Sequence, residues 1–305
     1  MLHDAHNHLQ DAALEPHLTR ITAAWPDLAG PAGRMVVNGT HPSDWPRVAA
    51  LAAAHPVVLP AYGIHPWDTG APRPTDWIDD LRARLLAEPC ASVGEIGLDR
   101  WMLDSARPDD PRLAGMRRAP MDEQIAAFLP QLALAAELDR PATIHCLQAF
   151  GELLPLLRAH PRPVRGFLLH AYGGPAELVP ELVSLGAYFS FNPAFLKHLT
   201  FFTKCNPLGY IASAPDTSPE LKIHPRIAAF RAIPAERLLC ETDAPAMLPP
   251  QAWRTHKLPP ATDGSPVNHP GNIEAAYAGL AALRGADPDP LTAQIADNFR
   301  RLFGA

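Results

Sequence analysis

Two histidines separated by one residue, His6 and His8, stand in the opening segment Met1-Leu-His-Asp-Ala-His-Asn-His-Leu. The segment reads as a strand, and on a strand residues i and i+2 share a face. Two imidazoles on one face at a strand end can grip one cation, because a neutral ring nitrogen is a good ligand for divalent metals. Taken alone, such a pair is more often ordinary strand-end polarity. Its meaning depends on whether other ligands reach the same place. The candidates are His65 in Gly63-Ile-His-Pro, Glu95 in Val93-Gly-Glu-Ile-Gly-Leu-Asp, His145 in Thr143-Ile-His, His170 in Leu169-His-Ala-Tyr-Gly-Gly and Asp243 in Glu241-Thr-Asp-Ala-Pro.

The elements that must position these residues follow from the alternation of short apolar runs with longer stretches of helical period. Strands are expected at Leu2 to His8, Arg34 to Asn38, Val57 to Ile64, Ala91 to Ile96, Ala142 to Cys146, Val164 to His170, Ala187 to Phe191 and Leu238 to Thr242. Helices are expected around Leu14 to Trp25, Pro42 to Ala54, Asp76 to Leu86, Met121 to Leu138, Phe150 to Arg158, Ala176 to Leu185 and Arg226 to Arg231. Two more close the chain, at about Asn272 to Arg284 and Leu291 to Leu302. Eight strands with helical crossovers suggest a (β/α)8 TIM-type barrel, whose chemistry sits on the loops after the strands. An open doubly wound sheet is the alternative, but no Gly-x-Gly-x-x-Gly follows the first strand. Each candidate residue lies at or just past the end of an expected strand, and in a parallel barrel those ends share one mouth. Several imidazoles and two carboxylates in one mouth suit divalent cations.

Composition sets limits on this reading. With 47% hydrophobic and 19% charged residues over 305 positions, the chain is an ordinary globular protein, expected as one domain over residues 1–305. The 36 prolines fall mostly beside apolar runs, where they punctuate loops and helix starts. A net charge of -6 supplies no basic footprint for nucleic acid, so any phosphate recognition must be local. The four cysteines, Cys90, Cys146, Cys205 and Cys240, show no C-x-x-C spacing, which argues against a zinc knuckle or a disulfide framework. No basic flank leads into an apolar leader and no run approaches a membrane span. A cytoplasmic protein with no membrane partner is the expectation, and nothing in the sequence specifies an oligomeric state.

Taken in order, the segments quoted above, with the tail Asn268-His-Pro-Gly-Asn to Asn298-Phe-Arg-Arg-Leu-Phe, resemble the TatD-type metal-dependent hydrolases of the amidohydrolase superfamily over nearly the whole chain. The resemblance implies a two-metal site, with His6, His8, Glu95 and Asp243 around one ion and Glu95, His145 and His170 around the other, Glu95 bridging. It further implies that a water or hydroxide shared by the ions is the nucleophile, that Asp243 takes its proton, and that His65 contacts substrate at a phosphate oxygen. The donor types fit zinc, manganese, nickel or iron, and magnesium less well.

The substrate shell departs from the family pattern. Members that act on DNA usually continue the fifth-strand histidine as His-Ser-Arg-Asp-Ala, whereas this chain reads His145-Cys-Leu-Gln-Ala and lacks that arginine. The usual phenylalanine and threonine after the sixth-strand histidine are replaced by Tyr172 and Gly173. Two stretches also look long, Arg100 to Pro120 and Thr200 to His224, and with Trp101, Met102, Phe201, Phe202 and Tyr210 they could lid the mouth. Arg112, Arg117 and Arg118 offer replacement phosphate contacts or are merely solvated. The leading expectation is a binuclear hydrolase cleaving phosphodiesters, with DNA ends as the family-typical substrate. The alternatives are a small-molecule amidohydrolase or esterase using the same ions, and a non-catalytic, metal-stabilised binding protein.

Overall fold

The computed structural model describes residues 1–198 and 224–304. Eight parallel strands follow one another around a single sheet in chain order. They are β1 (Asp4–Asn7), β2 (Met35–Asn38), β3 (Val58–Tyr62), β4 (Ser92–Asp99), β5 (Ala142–Leu147), β6 (Phe167–Leu169), β7 (Ala187–Phe191) and β8 (Leu238–Cys240). The ring is drawn together by backbone bonds just past β1 and β8: Asp243 N–H donates to His6 O at 2.9 Å and His8 N–H to Ala244 O at 2.8 Å. This is the (β/α)8 barrel that the alternation of elements predicts. Most strands are buried on both faces, as a parallel sheet covered by helices requires.

The helices are α1 (Leu18–Ala29), α2 (Trp45–Ala54), α3 (Trp77–Ala87), α4 (Trp101–Asp104), α5 (Met121–Glu137), α6 (Phe150–Ala159), α7 (Val179–Ser184), α8 (Pro225–Ala232), α9 (Ile273–Arg284) and α10 (Pro288–Phe303). Prolines open α2, α7, α8 and α10, where a missing N–H costs nothing. Pro26, Pro130 and Pro155 instead lie inside α1, α5 and α6. In α5 the burial of Phe128, Leu132, Leu134 and Ala135 outweighs the lost helical bond, so packing overrides the local preference.

Two departures from the expected boundaries matter for the site. β4 runs on to Asp99, three residues past its expected end, because Ile96 to Asp99 pair in register with Ile144 to Leu147. The β1 and β4 ladders also each shift register, between Asp4 and Asn7 and between Val93 and Ile96. An extra residue in a strand re-aims the side chains around it, and these shifts bracket His6 and Glu95. The Arg100 to Pro120 stretch is ordered around α4 and a 3-10 turn at Pro111–Leu113. The stretch from Thr200, with Phe201, Phe202 and Tyr210, lies outside the described residues. Among the described residues no helix is long and apolar enough to cross a membrane.

Candidate active site

Glu95, 2% exposed, is the hub of the mouth. Its Oε2 lies 3.3 Å from Nε2 of His6 and 3.3 Å from Nε2 of His8. Its Oε1 lies 3.2 Å from His65 Nε2, 3.1 Å from His145 Nδ1 and 2.8 Å from His170 Nε2. Asp243 Oδ1 completes the first group, 3.5 Å from His6 Nε2 and 3.4 Å from His8 Nε2. All seven residues singled out from the sequence therefore meet, and the two oxygens of one carboxylate divide them into two sets. His65 stands as near Glu95 as the other histidines do. Asp243 has φ +53°, in the left-handed region that aspartate tolerates better than most residues.

Hydrogen-bond logic shows that two of the rings, His8 and His145, aim lone pairs inward. His8 Nδ1 lies 2.9 Å from the carbonyl of Asn38, which can only accept, so Nδ1 carries the proton and Nε2 faces the cluster bare. His145 Nε2 lies 3.0 Å from Oδ2 of the buried Asp99, which likewise leaves Nδ1 bare toward Glu95 and His170. The ring nitrogens of His6 and His8 approach to 3.2 Å, and those of His145 and His170 to 3.1 Å. In each pair one bare nitrogen can accept a hydrogen bond from its neighbour or ligate a cation. The donor set fits divalent cations on both sides of Glu95.

The charges agree with that fit. Burial disfavours ionisation of Glu95, but the surrounding His65, His170, His6 and His145 outweigh it and hold the carboxyl well below the usual range. Burial likewise opposes Asp243, yet the neighbouring His6 and His8 push its carboxyl down. Burial would discharge His8 and His170, but the carboxylates of Asp243 and Glu95 raise the first, and those of Glu95 and Glu241 raise the second. The carboxylates thus favour positive charge at the rings, which metal ions can supply in place of protons.

Several supporting residues were not singled out from the sequence. Asp99 accepts from Trp67 Nε1 at 2.6 Å as well as from His145, and its backbone N–H is held by Gln124 of α5 at 2.8 Å. Gln131, one helical span further on, accepts from Ile64 N–H at 2.7 Å and fixes the turn that bears His65. Glu241 accepts from Ala171 N–H at 3.1 Å and from Asn192 at 3.1 Å, and lies 3.7 Å from His170 Nδ1. The signal for Asp99 was present: it is four residues beyond Glu95, hence on the same strand face.

At the rim, the arginines offered as phosphate contacts have partners. Arg112 pairs with Asp110 at 2.8 Å and covers Trp101 at 4.3 Å. Arg117 pairs with Glu123 at 2.5 Å. Arg118 donates to the carbonyls of Met102, Ala106 and Arg107. Their work is to order the Arg100 to Pro120 stretch.

The family model of TatD-related DNases matches residues 3–304. A curated relative, the 3′-5′ ssDNA/RNA exonuclease TatD of Klebsiella pneumoniae (strain 342), is 31% identical over 271 residues, 88% of this chain and 86% of the relative. Among solved structures, the TatD homologue YJJV of Escherichia coli K12 superposes with a TM-score of 0.72 at 24% identity, covering 100% of this chain and 98% of that one. A TatD-family hydrolase of Entamoeba histolytica gives 0.70 at 14% identity, covering 99% and 97%. At those identities the two structures speak for the fold.

Proposed function

The chain belongs to the TatD-related DNase family of metal-dependent hydrolases, and from that premise we propose that it removes nucleotides from the 3′ end of single-stranded DNA or RNA at the Glu95 centre. The observation that carries the reading is the division of one buried carboxylate between two sets of donors. In this reading His6, His8, Asp243 and Glu95 hold one ion, and Glu95, His145 and His170 hold the other. Zinc, manganese, nickel or iron suit so many nitrogens better than magnesium. Divalent ions held there would polarise the phosphoryl group and lower the pKa of the attacking water toward neutrality. Asp243 accepts the proton of the attacking water, since its carboxylate is the one acidic group of the first set not shared with the second. His65 offers its Nε2 to a phosphate oxygen. We read residues 1–305 as one catalytic domain, and the free thiols of Cys90, Cys146 and Cys240 suit the reducing cytoplasm.

A 5′-labelled single-stranded oligonucleotide, incubated with metal-loaded protein, is expected to shorten stepwise from its 3′ end. Asp243→Asn should lower kcat by roughly 10²- to 10⁴-fold. Intact DNA and RNA alongside turnover of a small ester or lactone would instead favour a small-molecule amidohydrolase. One observation favours that second reading: the end of β5 and the turn after it carry Cys146, Leu147 and Gln148 and no cation.

A further inference from the structure

Among the described arginines around the mouth, most have carboxylate or carbonyl partners, and Arg226 does not. Arg100 meets Glu152 and Asp104, and Arg112, Arg117 and Arg118 have the partners described above. Arg226 is the second residue of α8, a helix that begins on the mouth side because it follows the connection leaving β7. Its guanidinium lies over the ring of Phe195, with Cζ 4.8 Å from the centroid, and against Gly173. Among the described residues no carboxylate or carbonyl pairs with that guanidinium, which is only partly exposed. A half-buried fork of donors with nothing to donate to is costly, and an incoming anion relieves the cost. Burial accordingly depresses its pKa.

Gly173 lies directly against this guanidinium. A Cβ there would sit in ordinary contact, 3.4 Å from Arg226 Nε and 3.5 Å from Nη2, so a side chain that extends beyond Cβ would crowd the guanidinium. Gly173 follows His170 by three residues, at most about 11 Å along the chain, and His170 Nε2 is 2.8 Å from Glu95. The arginine missing after His145 and the glycine at 173 then have one explanation. We propose that Arg226, seated over Gly173 and Phe195, binds a phosphate group of the substrate and supplies the bidentate contact that the loop after β5 lacks. The planar fork matches two phosphate oxygens, which neither lysine nor glutamine reproduces. The inference rests on the phosphodiester reading above.

Three variants test it: Arg226→Met, which keeps an apolar stem on Phe195; Arg226→Lys, which keeps charge without the fork; and Gly173→Thr, which leaves the arginine but fills its seat. Arg226→Met should raise KM for a single-stranded oligonucleotide and the inhibition constant of inorganic phosphate together, by roughly tenfold to a hundredfold. Its kcat and metal content should stay at wild-type values. Arg226→Lys should fall between, and Gly173→Thr should move both constants in the same direction. Unchanged KM and phosphate inhibition in Arg226→Met, with metal content intact, would overturn the proposal. Should that variant fail to fold, Gly173→Thr decides by the same two constants. Oligonucleotide cleavage by the wild type with both constants unmoved leaves the nuclease reading standing and removes this one. No cleavage, with phosphate binding still dependent on Arg226, does the reverse.

Discussion

Asp99 illustrates what one side chain contributes without facing substrate. Its carboxylate is buried, accepts from His145 and Trp67, and lies below the ordinary range because bonds from His145, Met102 and Trp67 outweigh the cost of burial. Remaining ionised, it forces the proton of His145 onto Nε2 and leaves Nδ1 free to ligate. Asp99→Asn is expected to weaken metal binding by about 10- to 100-fold, measured by titration against a competing chelator, with little change in Tm of the metal-free protein. Wild-type affinity in that variant would mean that His145 orients itself. The ligand candidates were legible because each is a histidine or acid at the end of an apolar run. Asp99 was quoted within its motif but passed over, because its role appears only when β4 is known to extend that far. Arg226 was illegible: its significance lies in a missing partner and in a glycine more than fifty positions away.

Among elements, the eight strands and their order could be read from periodicity, whereas the register shifts in β1 and β4 could not. A shift is a relation between two strands, and neither sequence alone contains it. Gly97 sits just after the second of them at φ +146°, and a Cβ there would lie 2.0 Å from His145 O, so β4 and β5 can lie together only with glycine at this point. The junction of β1 with α10 carries a pH response. His3, 1% exposed, stacks on Phe299 of α10 at 4.1 Å, and burial, then the N-terminal ammonium, Arg300 and Arg34, pushes its pKa from 6.5 down to about 4. The unfolded chain therefore takes up this proton first as pH falls. The stability His3 contributes is complete above pH 6.5 and is lost as pH falls toward 4, at most about 3 kcal/mol. Urea midpoints of wild type and His3→Gln, measured in chelator, should converge over that window. Parallel curves would refute the assignment.

Over the whole molecule, a net charge of -6 and rim arginines engaged with their own carboxylates and carbonyls leave no broad field to attract a polyanion. Recognition confined to one or two phosphates predicts a shallow salt dependence. The slope of log(kcat/KM) against log[salt] for a single-stranded substrate should be about −1; a slope near −5 would reveal a basic track. The barrel itself was legible as a class, while its closure was not. Closure depends on Asp4, whose carboxylate takes the Thr242 N–H at 3.0 Å and the Thr242 hydroxyl at 2.5 Å, and which burial, against those bonds, lifts to about 7. That seam joins the two ends of a long chain, beside the bond from Asp243 N–H to His6 O. A ribosome must therefore deliver the chain as far as Asp243 before His6 and Asp243 can meet. During synthesis the emerging chain carries His6 and His8 long before it carries the carboxylate that completes their group.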